Sequence, residues 1–202
     1  MKPLKLSLLS LLALAVYSCA PVRPPIPEYH GSVQDFIGAA SRDFDSMAST
    51  LSVHFEKKSG RRMSADAVAQ ITPEGMSVRF YQMGMLVGDL DTLAGRSAGY
   101  EVYEGLLKEA LMWWRISGYK AEVLPGEVLL STEDRTLILD ARTYVPLRQT
   151  LSLQGSKAFV TYSDYRSVDG DSSAFWYPFR ISVAYKGDSL EIRMSKVSLT
   201  HS

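Results

Sequence analysis

Apolar residues along this chain keep two rhythms. The first is helical: Val33, Phe36, Ile37, Ala40, Phe44 and Met47 recur at spacings of three and four, and Ser32 with Asp35 supplies a capping-box start. From Thr50 the period becomes two. Leu51, Val53 and Phe55 alternate with Ser52, His54 and Glu56, and residues 57–60 read as a hairpin turn. The return strand places Met63, Ala65, Ala67, Ala69 and Ile71 on one face. Pro73-Glu74-Gly75 then turns into Met76, Val78 and Phe80, and a further strand is predicted over 86–93. Residues 101–116 return to helical spacing, with Val102, Leu106, Leu107, Ala110, Leu111 and Trp114 on one face and Gly118 closing the element. Adjacent Trp113 and Trp114 cannot point the same way on a helix, so one is expected inward and the other near a rim.

The rest alternates as strands over 127–131, 136–140, 147–153, 157–162, 179–185 and 190–199. Phe179, Ile181 and Val183 line one face of theirs. The parity of Leu190, Ile192 and Met194 shifts at Val197 and Leu199, which predicts a bulge near Ser195. Two helices and about ten strands predict an α+β fold with one curled antiparallel sheet around the helices, because a sheet that long curls or closes.

The first thirty residues add compartment. Lys2 and Lys5 precede an unbroken apolar run over 6–16, which is a signal peptide rather than a membrane span: eleven helical residues cover about 16 Å of a roughly 30 Å hydrocarbon core. Val16-Tyr17-Ser18-Cys19 resembles a bacterial lipobox, with Tyr17 bulkier than the usual occupant. The resemblance implies cleavage after residue 18 and acylation of Cys19, and Ala20 favours the outer membrane over inner-membrane retention. Two or three acyl chains suffice for a stable anchor. Cys19 is the chain's one cysteine, so no internal disulfide exists and the core alone must hold the fold. Pro21, Pro24, Pro25 and Pro27 make residues 19–30 a stiff tether, and residues 31–202 fit one domain, expected as a monomer.

Of 22 basic and 22 acidic residues, removal of residues 1–18 takes Lys2 and Lys5 and no acid, leaving a formal charge of −2. No basic patch or acidic tail appears, so nucleic-acid binding and polybasic attachment to anionic lipid both lose their main driving force. Catalytic motifs are missing as well. His30, His54 and His201 neighbour no nucleophile or ligand motif, there is no Gly-x-Ser-x-Gly or phosphate loop, and Asp43/Asp45 and Asp89/Asp91 have no further ligand spaced to join them. A non-enzymatic protein without cofactor is expected.

The order of elements resembles the LolA/LolB family of lipoprotein carriers and receptors. The resemblance rests on residues 51–55 with Gly60-Arg61-Arg62-Met63, on residues 73–80 leading into Met83-Gly84-Met85-Leu86-Val87, on the helix over 106–114, and on residues 136–140 through Pro146-Leu147-Arg148-Gln149. It implies an open half-barrel covered by helices, whose cavity takes up the acyl chains of a lipoprotein or lipid. The anchoring Cys matches the receptor member, to which a periplasmic LolA-like carrier would deliver. Inward parity then assigns Leu51, Val53, Phe55, Val78, Phe80, Leu137, Leu139, Phe179, Ile181 and Val183 to the cavity wall. An ordinary packed core needs the same residues, and an envelope interaction module with a filled interior is the alternative. The small Ala65-Ala67-Ala69 stripe and the flexible methionines favour space for varied chains. The resemblance also implies a membrane-inserting loop at Met85 or Leu86; core capping is the alternative role for that pair.

Overall fold

The structure, a computed structural model, describes residues 25–89, 100–169 and 174–200. The signal segment, Cys19 and the start of the tether lie outside the described residues, as does the second half of the strand predicted over 86–93.

Helix α1 is Val33–Asp43. Its start is the predicted capping box: the Asp35 amide donates to Ser32 Oγ at 3.1 Å, and the Ser32 amide donates to the Asp35 carboxylate at 3.2 Å. Phe44 is already extended, so the apolar series continues into a strand, and Met47 is buried from there. Strands β1 (Ser46–Glu56), β2 (Arg62–Ile71), β3 (Met76–Gln82) and β4 (Met85–Asp89) follow, then helix α2 (Tyr100–Leu111). Seven further strands complete the domain: β5 (Lys120–Leu124), β6 (Glu127–Ser131), β7 (Arg135–Asp140), β8 (Pro146–Leu153), β9 (Ser156–Asp169), β10 (Ala174–Tyr185) and β11 (Asp188–Thr200).

All eleven strands form one sheet in the order β4-β3-β2-β1-β11-β10-β9-β8-β7-β6-β5, antiparallel throughout. The first and last strands are therefore neighbours near the middle, and β4 and β5 are the edges. Those edges are not paired with each other. The chain between them carries α2, so the sheet curls into an open half-barrel over its helices. The predicted bulge is present: Thr50 opposes Lys196 and Leu51 opposes Met194, which leaves Ser195 out of register with its hydroxyl donating to the Thr50 carbonyl at 3.1 Å.

One face of the sheet and both helices bury a single core. Alternation places Phe55, Leu190, Val183, Val160, Gln149, Leu137 and Leu130 in one row across seven strands, each opposite the next. Gln149 is the polar member, and its use becomes clear at α2. That helix ends at Leu111, five residues before the predicted end, and a turn over 112–114 redirects the chain. Both tryptophans are thereby fully buried, Trp113 against Phe175 and Trp114 against Phe44. The expected rim position for one of them is wrong, because the turn frees it from helical geometry.

Ending a helix inside a core leaves carbonyls without intrahelical partners. Sheet side chains satisfy them. Tyr162 donates to Ala110 O at 3.3 Å, Tyr177 to Leu111 O at 2.7 Å, and Arg135 to Trp113 O at 2.6 Å and Arg115 O at 3.0 Å. Arg135 is buried, pairs with Glu109 at 2.5 Å and is further held by Gln149. A cation at a helix C-terminus is favoured by the macrodipole as well as by these bonds. The C-terminal end of α2 is thus fixed to β7, β8, β9 and β10.

Candidate functional site

The ten residues assigned to the cavity wall do share the inward surface, but their cover is uneven. Leu51, Val78, Leu137, Leu139, Phe179, Ile181 and Val183 are buried in the core, whereas Val53, Phe55 and Phe80 are half-buried. At one end of the half-barrel, α1 and the 112–114 turn cover the sheet with an aromatic cluster. Phe175 stacks on Trp113 and on Phe36 with centroids 5.8 and 6.1 Å apart, and meets Trp114 edge-on at 5.4 Å. The Trp114 indole donates to Phe44 O at 3.1 Å.

At the other end, Val53, Phe55, Phe80 and Leu190 of the sheet and Tyr103 and Leu107 of α2 are half-buried, while Val102 and Leu106 of the same helix are buried in the core. Among the described residues, one side-chain hydrogen bond ties the first turns of α2 to the sheet. Tyr103 donates to the Asp188 carboxylate at 2.9 Å and packs edge-on against Phe55 and Tyr185 at 6.2 and 5.9 Å. Burial, then the bond to Asp188, push the Tyr103 phenol up to about 12. Small Ala67 and Ala69 line the sheet nearby, and Met47, Met76, Met112 and Met194 are buried in the same core, so its walls hold both short side chains and adaptable ones.

The same end carries the hairpin tip between β3 and β4. Met83 and Gly84 both have positive φ, 52° and 77°, a turn whose twist matches the strands but whose first position suits Asn, Asp or Gly far better than Met. Met83 is 91% exposed, followed by Met85 at 67%, Leu86 at 59% and Val87 at 55%. Met85 and Leu86 thus lie on the edge strand just past the tip, opposite Gln82 and Tyr81 on alternate faces, and Val87 is bulged out of register. Neither Met85 nor Leu86 is buried in the core. Met83 is the outermost residue of the tip, and the Met-Gly pair between two alternating runs is the turn signal that marks it.

Elsewhere the candidate chemistry stays apart. A groove of about 410 Å³ on the opposite sheet face is lined in part by His54, Ser64, Phe159, Thr161, Ser182 and Glu191. His54 Nδ1 and Ser64 Oγ lie 2.8 Å apart, but the Glu191 carboxylate accepts from Arg193 at 2.8 Å and lies 3.4 Å from Arg180. The hydrogen bond from Arg193 holds that carboxyl below its ordinary range. His30 is exposed, and His201 and Asp91 lie outside the described residues. Among the described residues no group of three or more His, Cys, Asp or Glu is placed to hold a metal ion, and no helix is long and apolar enough to cross a membrane.

No protein-family model and no curated protein matches the chain. Solved structures do. A LolA superfamily protein from Nitrosomonas europaea superposes with a TM-score of 0.51 over 85% of this chain and 96% of that one, at 12% identity. The fold is that of the LolA superfamily. A putative outer membrane lipoprotein-sorting protein domain from Vibrio parahaemolyticus gives the same TM-score at 14% identity, covering 82% of this chain and 89% of the other. The predicted half-barrel is therefore the observed LolA-like architecture.

Proposed function

We propose that this protein is a lipid-anchored, periplasm-facing lipoprotein of the bacterial outer membrane that binds the acyl chains of lipoproteins or lipids and aids their transfer to the membrane. Anchoring is through Cys19, with residues 19–30 as the tether. The LolA-like fold and the lipoprotein-sorting neighbour support the class of cargo. The observation that carries the reading is the uneven cover of a largely apolar inner face: Leu51, Val78, Leu137, Leu139, Ile181 and Val183 are buried, whereas Val53, Phe55, Phe80 and Leu190 are half-buried. Tilting α2 about its C-terminal end separates Tyr103 from Phe55 and opens a slot for an alkyl chain beside half-buried Val53, Phe80 and Leu190. The chain replaces the contacts that the helix gives up, at about 0.8 kcal/mol per buried methylene. No cofactor takes part.

Delivery falls to the tip. Met83 and Leu86 are exposed apolar groups at the same end as the slot, and burying them in lipid is favourable by about 25 cal/mol per Å². Met85 and Val87 widen that surface. A LolA-like carrier in the periplasm is the natural donor of cargo.

Native mass spectrometry of protein purified from cells tests the reading. Stoichiometric acyl chains or a bound lipoprotein are expected, together with saturable binding of a fluorescent fatty acid. A clean apoprotein that fails to bind the fatty acid sinks it. That outcome favours an interaction module with a filled interior, a role supported by how completely the middle of the core is packed.

A further inference from the structure

Net charge near zero conceals where the cations are. Lys57, Lys58 and Arg61 occupy the β1–β2 turn, Arg62 begins β2 beside it, and Lys186 lies in the β10–β11 turn. The fold presses these turns together. The Lys58 amide donates to the Asp188 carboxylate at 2.8 Å, and the Lys58 side chain lies across Gly187 so closely that a Cβ there would sit 3.0 Å from its Cδ. All five cations are exposed, and among the described residues only Arg62 has a salt bridge, to Glu56 at 3.1 Å. Asp188 is occupied by Lys58 N and by Tyr103. The cluster is therefore net positive on a chain that is not.

Register puts this cluster beside the apolar tip. Tyr81 opposes Asp66 on β2, so two residues further the Met83-Gly84 turn reaches the level of Ser64 and exposed Met63, next to Arg62. Lys186, like Met83, sits at the first position of a turn with positive φ, 52°, where Asn, Asp or Gly is easier. Two turns at one end thus place a membrane-relevant side chain where the backbone disfavours it. Cations flanking exposed apolar groups match the interfacial layer of a bilayer, in which anionic head groups lie just outside the acyl region.

We propose that this end of the half-barrel docks onto anionic phospholipid, with Met83 and Leu86 entering the acyl boundary while Lys57, Lys58, Arg61 and Lys186 contact head-group phosphates. The proposal rests on the tip's role in delivery and adds the lipid chemistry it selects. Docking in this pose faces the half-covered slot at Phe55 and Tyr103 toward the bilayer, so an acyl chain leaves along the shortest path.

Flotation with vesicles tests it, using the chain from residue 25, since α1 to β11 bury one core among themselves and the anchor would mask docking. Vesicles of phosphatidylethanolamine and phosphatidylcholine are compared with vesicles carrying phosphatidylglycerol in place of about a third of the lipid. Binding to the anionic vesicles is expected to be at least tenfold tighter and to weaken as salt rises, since each cation near such a surface contributes roughly a fivefold factor. Lys57→Gln, Lys58→Gln, Arg61→Gln and Lys186→Gln combined should abolish the preference while fatty-acid binding and thermal stability stay unchanged. Equal binding to both vesicle types, an unchanged preference in the combined variant, or no vesicle binding overturns the proposal. So does a tip-dependent dimer in sedimentation, lost in Met83→Glu, which would show that a second copy covers this surface. Fatty-acid binding by the same samples reports separately on the carrier reading.

Discussion

The two ends of the half-barrel are built from the same kinds of strand and differ in what lies on them. At one end Trp113, Trp114, Phe36, Phe44 and Phe175 interlock, and tyrosine and arginine side chains from the sheet hold the end of α2. At the other, Val53, Phe55, Phe80 and Leu190 are half-buried, Tyr103 of the same helix packs on Phe55, and the strand turns beyond carry exposed Met83 and lysines. Among the described residues, sheet side chains thus bond the C-terminal end of this helix at several carbonyls and its first turns at Tyr103. In the proposed carrier, stability is concentrated away from the acyl slot, which is how a protein keeps a fold while giving up contacts to a ligand.

The largest test of that division is a pair of truncations. Trp114→Ala removes a fully buried indole, its ring contacts and its bond to Phe44 O, and is expected to cost about 3–5 kcal/mol in urea unfolding. Phe55→Ala removes a half-buried ring and should cost roughly half as much. Equal losses would mean that the lightly covered end holds the fold as firmly as the sealed one, and the comparison would fail.

Next in size is Arg135→Met, which keeps the bulk of the side chain but strips the carbonyls of Trp113 and Arg115 of their donor and leaves Glu109 without its partner. A loss of about 2–4 kcal/mol is expected. Hydrogen exchange locates the damage. Amides at the C-terminal end of α2, slow in the parent, should exchange at rates approaching those of residues 101–106, which are expected to be the faster half of the helix from the start. Uniform protection along α2 in the parent protein would refute the pivot.

Alkali probes the same anchors through titration. Burial raises the phenols of Tyr162 and Tyr177, and Tyr103 is pushed up to about 12, against 10.0 for an ordinary tyrosine. The folded chain therefore keeps protons that the unfolded chain releases from pH 10 upward. Stability linked to these groups is complete below pH 10 and falls as pH rises toward the folded values. Unfolding midpoints measured from pH 8 to 11.5 should drop above 10. Tyr177→Phe should shallow that slope while costing about 1 kcal/mol at neutral pH for the lost bond to Leu111 O. A profile as steep in the variant as in the parent would show that other groups govern the alkaline loss.

How much of this was readable beforehand depends on whether a feature is set by local pattern or by what the fold brings together. The strand faces, the capping box and the bulge at Ser195 follow from spacing alone, since a period of two admits one inward set. The missed strand, β5, is fully exposed and follows no burial pattern, because an edge strand with two wet faces has no reason to alternate. Trp113 and Trp114 were misplaced because the helix stops early at carbonyl partners supplied from distant strands. The cavity-wall residues were legible as inward positions. Which of them are half-covered was not, for cover is decided by where α2 is held, through Arg135, Tyr162 and Tyr177. The cation cluster escaped notice because it was averaged into a neutral chain, although Lys57-Lys58-Ser59-Gly60-Arg61-Arg62 stands in plain order.

The smallest expected effect on stability carries the sharpest functional contrast. Met83→Glu and Leu86→Glu alter exposed side chains with few contacts to lose, so unfolding free energies should stay within about 0.5 kcal/mol of the parent. Vesicle binding should nevertheless fall severalfold, because a carboxylate at the tip opposes both insertion and the anionic surface. Met83→Asn refines the point. Asparagine tolerates positive φ better than methionine, so that substitution should leave the turn as stable or more so while still weakening insertion. A gain in stability with a loss of membrane binding would explain why a methionine stands at a position where the backbone prefers something else: the tip is selected for what it enters, at a small cost to the turn that presents it. Unchanged membrane binding in Met83→Asn would instead assign insertion to Leu86 and its neighbours on the edge strand.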